Sequence, residues 1–164
     1  MALTMLTGCA RKAAYTEVHA ALPAVPALRS EKVLLNVKTP TGERSFTLSQ
    51  LEALRAVKYR VRQPQLKKAY TYRGVLLSDL ARAAGLVGRD LRFDALNDYG
   101  ATVKASDYMK YPVLLAYLAD GQPISIAAKG PLTVVFPTRA YPNRFPDFEY
   151  GPQWVWYVNK VRPR

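Results

Sequence analysis

The feature that most constrains this chain is a succession of short β-rich runs that end in turn signals and rarely give way to a helical pattern. Residues 33–37 form such a run, residues 39–42 form a turn, and residues 45–48 form the hairpin partner. Because the predicted strands outnumber the helices and do not alternate regularly with them, the pattern predicts an α+β fold. We expect a single domain of mixed β-sheets with a few short helices.

The rest of the chain follows the same pattern. Further strands are predicted at residues 57–62, 91–96, 101–104, 114–118, 124–126, 132–136 and 154–161. A short helix is predicted after the capping-box pair Thr47 and Gln50, and a longer one over residues 75–84, where leucines recur at helical spacing. Trp154 and Trp156 alternate on the last predicted strand, which favours a shared position in the core over a pocket wall.

The N-terminus carries a short export pattern. Residues 6–9, Leu-Thr-Gly-Cys, match the lipobox of bacterial lipoproteins, which predicts lipidation of Cys9 and a periplasmic, lipid-anchored protein. Residues 1–9 are interpreted as a truncated lipoprotein-type signal, because an export signal normally has a basic start and a longer apolar stretch. A cytoplasmic protein with an unstructured N-terminus is the alternative.

Residues 10–30 contain Pro23, Pro26, many alanines and no hydrophobic period, so they are predicted to form a flexible tether. The folded domain is expected at residues 31–164, a length that suits one core. No segment approaches the length of apolar sequence that a membrane helix requires, so we expect membrane contact through the lipid anchor only.

The chain contains one cysteine, Cys9, and one histidine, His19, and both precede the predicted domain. A zinc site needs three or four ligands, usually cysteine or histidine, and a serine or cysteine triad needs a histidine base. These chemistries are therefore excluded from the domain. Asp98 has no nearby acid or histidine with which to form an acid–base pair, so no catalytic residue and no metal ligand are predicted.

Basic residues are in excess: 24 Lys and Arg against 12 Asp and Glu give a formal charge of +12. Such a charge attracts anions, phosphates or acidic membrane surfaces without choosing among them. Residues 57–62 alternate apolar and basic, which predicts a strand with its basic side chains on one face, either in solvent or in a ligand pocket. Nucleic acid is not expected as a partner, because an exported protein would not meet it.

Several segments occur in the order typical of one known family. They include Tyr-Arg-Gly-Val-Leu-Leu-Ser-Asp-Leu at residues 72–80 and Gly-Pro-Leu-Thr-Val-Val-Phe-Pro at residues 130–137; the others lie at 95–99, 115–117, 120–124 and 154–156. Over residues 33–161 the chain resembles the oxidoreductase molybdopterin-binding domain family, which implies a sulfite-oxidase-like fold. More narrowly, it resembles a short bacterial subgroup of exported proteins with that fold and without an established activity.

The resemblance also exposes two departures. In catalytic members a cysteine thiolate binds molybdenum on a strand ahead of the aromatic-x-Gly motif, and the corresponding position before Gly74 is Arg62. An arginine that helps to hold the anionic cofactor is replaced by Thr133. A guanidinium cannot replace a thiolate as a ligand to a soft metal. No cofactor is therefore expected, and a molybdopterin oxidoreductase with an oxygen ligand such as Asp98 is a further alternative.

Two functional hypotheses follow. In the first, the former cofactor cleft binds an anionic or aromatic small molecule, such as a pterin-like ligand, because arginine forks suit carboxylate and phosphate groups. The candidate ligand-binding residues are Arg60, Arg62, Tyr72, Arg73, Asn97, Asp98, Tyr99, Lys129 and Arg139. In the second, the long loop over residues 137–153 anchors a membrane-protein partner. Its candidates are Tyr141, Arg144, Phe145, Phe148 and Tyr150.

Overall fold

The computed structural model describes residues 13–164, so the predicted signal and the predicted lipidation of Cys9 lie outside the described residues. The strands are β1 (Thr16–His19), β2 (Val33–Thr39), β3 (Gly42–Thr47), β4 (Ala56–Gln63), β5 (Lys68–Leu76), β6 (Leu91–Ala95), β7 (Gly100–Val103), β8 (Leu114–Ala119), β9 (Gln122–Pro123), β10 (Thr133–Val135) and β11 (Val158–Pro163). The helices are α1 (Leu48–Glu52), α2 (Leu77–Ala83), α3 (Ala105–Tyr108) and α4 (Asp147–Tyr150), followed by a 3₁₀ turn at Gly151–Gln153. The predicted α+β class is confirmed.

The strands form two sheets. In the first, the order is β1, β4, β5, β8 and β10, and β9 pairs with β8. In the second, the order is β3, β2, β11, β6 and β7, with β11 parallel to β2 and antiparallel to β6. Buried aliphatic and aromatic side chains from both sheets form one core cluster. No helix among residues 13–164 is long and apolar enough to cross a membrane.

The β4–β5 hairpin shows the predicted alternation. Tyr59 and Val61 are buried, whereas Lys58, Arg60 and Arg62 are exposed on the other face of β4. Pairing is continuous from Ala56 opposite Val75 to Gln63 opposite Lys68. The sequence pattern therefore predicts the correct face for the basic side chains of β4.

The predicted capping box is also present. The Thr47 side chain accepts a hydrogen bond from the Gln50 backbone N–H, and the Gln50 side chain accepts one from the Thr47 N–H at 3.0 Å. The second helix begins at Leu77 and not at Val75, because Val75 and Leu76 continue the ladder between β5 and β8.

Two other predictions are wrong in detail. Residues 124–126 do not form a strand, since the short β9 ends at Pro123. The last strand begins at Val158, so Trp154 and Trp156 lie in an irregular segment before it and do not alternate on a strand. The consequence for Trp156 is that it is only half-buried.

Within the predicted tether, residues 16–19 form a strand, whereas residues 20–30 are exposed and lie outside helices and strands. Residues 16–19 pair with β4 as an edge strand, and the Leu22 N–H donates to the Ala53 carbonyl at 2.8 Å. The Glu31 carboxylate accepts hydrogen bonds from the Ser49 backbone and hydroxyl, which lowers the pKa of Glu31. These contacts tie the segment to β4 and α1, so the domain begins earlier than residue 31.

A close approach between β5 and β8 fixes the centre of the first sheet. A methyl group added at Gly74 would meet the Leu115 carbonyl oxygen at 2.1 Å. Only glycine allows the two backbones to lie this close at the irregularity between Arg73 and Gly74.

We predict that Gly74→Ala lowers the free energy of unfolding by about 1–3 kcal/mol or more, because the new methyl group forces the two strands apart. Gly151→Ala is the matched control, since a methyl group there meets nothing within 4 Å. Chemical denaturation of both variants measures the difference. Equal stability of the two variants would contradict the close approach.

Candidate functional site

The nine predicted ligand-binding residues do not form one cleft. Arg60, Arg62 and Arg139 line one groove, whereas Asn97 and Tyr99 line a separate cavity with Lys129 beside it. Tyr72, Arg73 and Asp98 line neither. The predicted cleft is thus resolved into two sites with different chemistry.

The first site, which we call the basic groove, runs between the exposed face and edge of β4 and the start of the long loop. It consists of three adjoining cavities. The middle one is lined by Arg60, Arg62, Thr138 and Arg139, and each of these residues also lines one of the other two. The other charged lining residues of the groove are Lys58, Lys67 and Asp147. Residues 13–16 close one end. Most of its charged side chains are exposed to solvent.

Few contacts neutralise this groove. Arg60 lies 3.9 Å from the Asp120 carboxylate, and both groups are about half exposed, so the pair is weak. The Arg62 Nε donates to the Lys67 carbonyl at 3.2 Å, which orients the guanidinium without cancelling its charge. The groove therefore keeps a net positive charge.

The second site, which we call the aromatic slot, is a cavity of about 260 Å³. It is lined by Gln65, Asn97, Tyr99, Gly151, Pro152, Trp154 and Trp156. Three parts of the chain that are far apart in sequence thus meet: the β4–β5 turn, the β6–β7 turn and the segment after α4. Its walls are mainly aromatic rings and apolar atoms.

Hydrogen bonds to the backbone hold the walls of the slot. The Tyr99 hydroxyl donates to the Pro152 carbonyl at 2.6 Å, and the Gln65 amide donates to the Gly151 carbonyl at 2.7 Å. Gln63 is buried and donates to the Gln65 side chain at 2.6 Å. These bonds attach both turns to the 3₁₀ segment, so the cavity is built before any ligand arrives.

Five buried side-chain polar atoms have no partner among the described residues, and three of them belong to residues 153–156, of which Trp154 and Trp156 line the slot. These three are the Gln153 Oε1, the Trp154 Nε1 and the Trp156 Nε1, all shielded from solvent. A buried donor or acceptor without a partner costs roughly 1–3 kcal/mol. Three such atoms lie within four residues, so this segment lowers the stability of the folded protein.

Among residues 13–164, three of the five non-glycine residues with a positive φ adjoin or contact lining residues of the slot. Asp98, Lys129 and Tyr157 have positive φ values of 64°, 75° and 53°, in the left-handed region that residues other than glycine rarely adopt. The Lys129 ammonium lies 4.2 Å from the centre of the Trp156 ring, a cation–π contact. Strained residues of this kind cluster at ligand sites.

The structure places two of the predicted ligand-binding residues, Tyr72 and Arg73, outside both sites. Tyr72 is 1% exposed on the core face of β5, opposite to Arg60 and Arg62, and its burial raises the pKa of its hydroxyl. Arg73 is half-buried beside Tyr117 and lines neither site. Burial raises the pKa of Tyr117, and the positive charge of Arg73 partly offsets that rise. Tyr72 packs in the core, whereas the Arg73 Nε is buried without a partner among the described residues.

The long loop over residues 137–153, which is predicted to bind a partner, packs most of its aromatic side chains against the domain. Phe145 and Tyr150 are buried in an aromatic cluster around Phe136, and Tyr141 packs edge-on against Tyr111 at 4.9 Å between ring centres. The aromatic side chains of the loop therefore stabilise the loop itself. Of the predicted aromatic anchors, only Phe148 is exposed, at 87%.

Arg144, the remaining loop candidate, belongs to a polar network beneath this cluster. Its guanidinium donates to the Asp107 carboxylate and to the Tyr150 hydroxyl, which in turn donates to Asp107 at 3.3 Å. The hydrogen bond to Tyr150 is the main cause of a raised pKa at Arg144. Asp107 is 1% exposed, so the network fixes the long loop to α3.

The family described as "Oxidoreductase molybdopterin binding domain" matches residues 22–142 of the chain. The chain belongs to this family. The match ends before the segment that carries Trp154 and Trp156, so one wall of the aromatic slot lies outside it. The family resemblance seen in the sequence is thereby confirmed.

The fold agrees with this membership. The sulfane dehydrogenase SoxCD from Paracoccus pantotrophus matches with a TM-score of 0.59 at 17% identity. The alignment covers 84% of this chain and 39% of the SoxCD chain, so this chain spans about two fifths of that structure. At this identity the likeness shows the fold alone. No curated protein matches the sequence.

The cysteine thiolate that the family resemblance implies as a molybdenum ligand has no counterpart among residues 13–164. The position expected for the metal-binding thiolate is Arg62, an exposed guanidinium in the basic groove. Among residues 13–164 there is also no group of three or more His, Cys, Asp or Glu side chains that could hold a metal ion. The slot, by contrast, offers aromatic faces and unpartnered polar atoms, which suit an organic ring.

Sequence reasoning missed Gln65, Pro152 and the two tryptophans as site residues. The available signal is the pair Trp154 and Trp156. A regular strand is predicted there, which favours a core position for both residues over a pocket wall. Burial of Trp154 is correct, at 2% exposed. The irregular backbone after Gln153 is what places Trp156 at the cavity.

We predict that Asp107→Asn lowers the free energy of unfolding by roughly 1–3 kcal/mol, because the Arg144 guanidinium loses its ionic partner under the loop. Glu149→Gln on α4 removes an exposed carboxylate and should change stability by less than about 0.5 kcal/mol. Urea denaturation compares the two variants. A loss as large for Glu149→Gln as for Asp107→Asn would contradict the role of the network.

Proposed function

We propose that this chain is a binding module without molybdenum redox activity, and that its aromatic slot holds a planar organic ligand. The observation that carries the proposal is the aromatic lining of the slot by Tyr99, Trp154 and Trp156. The indole nitrogens of Trp154 and Trp156 have no partner among the described residues and almost no solvent-accessible surface, so a ligand would meet the ring faces first. A planar heterocycle complements such walls.

The dimensions of the slot support a small ligand. Pockets for drug-sized molecules are about 300–1,000 Å³. At about 260 Å³, the slot suits one or two fused rings, and the exposed faces of Tyr99 and Trp156 suit stacking. A pterin-like ring belongs to this class, as do aromatic carboxylates.

Charge favours an anionic substituent on that ring. Lys129 is half-buried, and its ammonium lies over the Trp156 ring at the side of the slot. A carboxylate or phosphate on a ligand stacked there would meet this ammonium at low cost, because the backbone already holds Lys129 in position. The ligand is thus a planar anion.

We base the proposed absence of redox activity on the residue at the position expected for the metal ligand. Arg62 has hydrogen-bond donors and a fixed positive charge, so it repels a metal cation and cannot bind a soft metal. The lipobox at residues 6–9 supports the accompanying proposal that the module acts in the periplasm, anchored through Cys9.

The proposal predicts that a pterin carboxylate binds the purified chain and that Trp156→Leu weakens this binding by about tenfold or more, through loss of stacking. Isothermal titration calorimetry measures both, with 2-naphthoate as a second planar anion. Lys129→Gln should weaken the binding of the anionic probes and leave the binding of an uncharged analogue unchanged.

Phe148→Leu is the matched control, because it alters an exposed aromatic side chain that does not line the slot. It should bind the probes as the unmodified chain does. Circular dichroism shows whether each variant is folded. Absence of binding by every planar probe, or equal binding by the Trp156→Leu and unmodified chains, would contradict the proposal.

A further inference from the structure

We infer that the basic groove is a docking surface for an anionic phospholipid bilayer. The inference goes beyond the proposed function, because the groove and the aromatic slot share no lining residue. It also extends the membrane contact predicted from the sequence, which is assigned to the lipid anchor alone.

The groove presents a row of cations on a rigid support. Lys58, Arg60 and Arg62 are alternate residues of β4, so their side chains project from one face at intervals of about 7 Å. Arg139 faces them from the loop, and Lys67 extends the row at the β4–β5 turn. All five side chains are exposed.

Acidic residues do little to offset this row. Asp147 lines one end of the groove, and Asp120 is 3.9 Å from Arg60 in a half-exposed pair. The five cations therefore exceed the two nearby carboxylates by three charges. A field of this sign draws the face toward anionic surfaces.

The length of the row favours a surface over a single small anion. From Lys58 to Arg62 the strand extends about 13 Å, which is more than one phosphate group can span. Apolar enclosure is also missing, because the groove is open along its length and its basic residues are solvated. A bilayer presents many phosphates side by side and can neutralise the whole row at once.

The path of the chain places the groove near the proposed anchor. Residues 13–16 close one end of the groove, and Cys9 precedes Ala13 by four positions. Four residues extend at most about 14 Å. A lipid on Cys9 would hold this face close to headgroups, and an acyl chain combined with a basic patch gives firmer binding than either alone.

Vesicle co-sedimentation tests the inference on the full chain carrying Cys9→Ser, so that no lipid contributes. We expect binding to vesicles containing roughly one-third phosphatidylglycerol and none to pure phosphatidylcholine, with a steep loss as salt rises toward about 0.5 M. Each basic side chain at an anionic surface contributes roughly a fivefold change in partitioning. The triple variant Arg60→Gln/Arg62→Gln/Arg139→Gln should therefore bind about a hundredfold more weakly.

The matched control removes the same charge elsewhere: Arg89→Gln/Lys104→Gln/Lys160→Gln alters exposed side chains that line neither site. It should lose only a few-fold in binding. Thermal unfolding confirms that both triple variants are folded. Trp156→Leu should retain vesicle binding, which separates this inference from the function of the slot.

Three outcomes would overturn the inference. The first is no binding to anionic vesicles, and the second is an equal loss in the two triple variants, which would show that net charge alone matters. The third is full competition by millimolar glycerol phosphate, which would show that the groove is a pocket for one soluble anion. Pterin binding that persists in any of these cases leaves the proposed function intact.

Discussion

The pairing of β4 with β5 is the constraint on which both sites depend. Side chains alternate across a strand, so burial of one face of β4 forces the other face outward. The Tyr59 hydroxyl lies within hydrogen-bonding distance of the Pro112 and Val135 carbonyl oxygens, at 2.9 and 3.0 Å, and this fixes the inner face. Arg60 and Arg62 are consequently held on the outer face. The turn that closes the same hairpin carries Gln65, whose amide holds the Gly151 wall of the slot.

Local patterns were sufficient to predict much of the fold. The alternation in β4 and the capping box at Thr47 depend on neighbours in sequence, and both are present as expected. The slot could not be predicted in this way, because residues near 65, 97 and 154 meet only in the folded chain. Residues 16–19 carry no strand signal of their own, since their pairing follows from the free edge of β4.

The aromatic residues of the long loop are a second case in which the sequence alone did not predict the role of a side chain. Tyrosine and phenylalanine in a long loop are typical of a partner interface, but here Phe145 and Tyr150 fill a cavity over Phe136. Composition does not distinguish a ring that binds a partner from one that closes its own loop. The family membership likewise describes the scaffold, and our proposal that the scaffold is used without molybdenum rests on Arg62 at the position that the resemblance implies for the thiolate.

The central claim is that the molybdopterin-binding fold is used here without the metal. Elemental analysis for molybdenum tests it most directly, on the full chain isolated from a bacterium grown with ample molybdate, alongside native mass spectrometry of the same sample. The account predicts molybdenum far below one atom per chain, and any co-purified mass should be a metal-free organic molecule. Molybdenum close to one atom per chain would contradict the account.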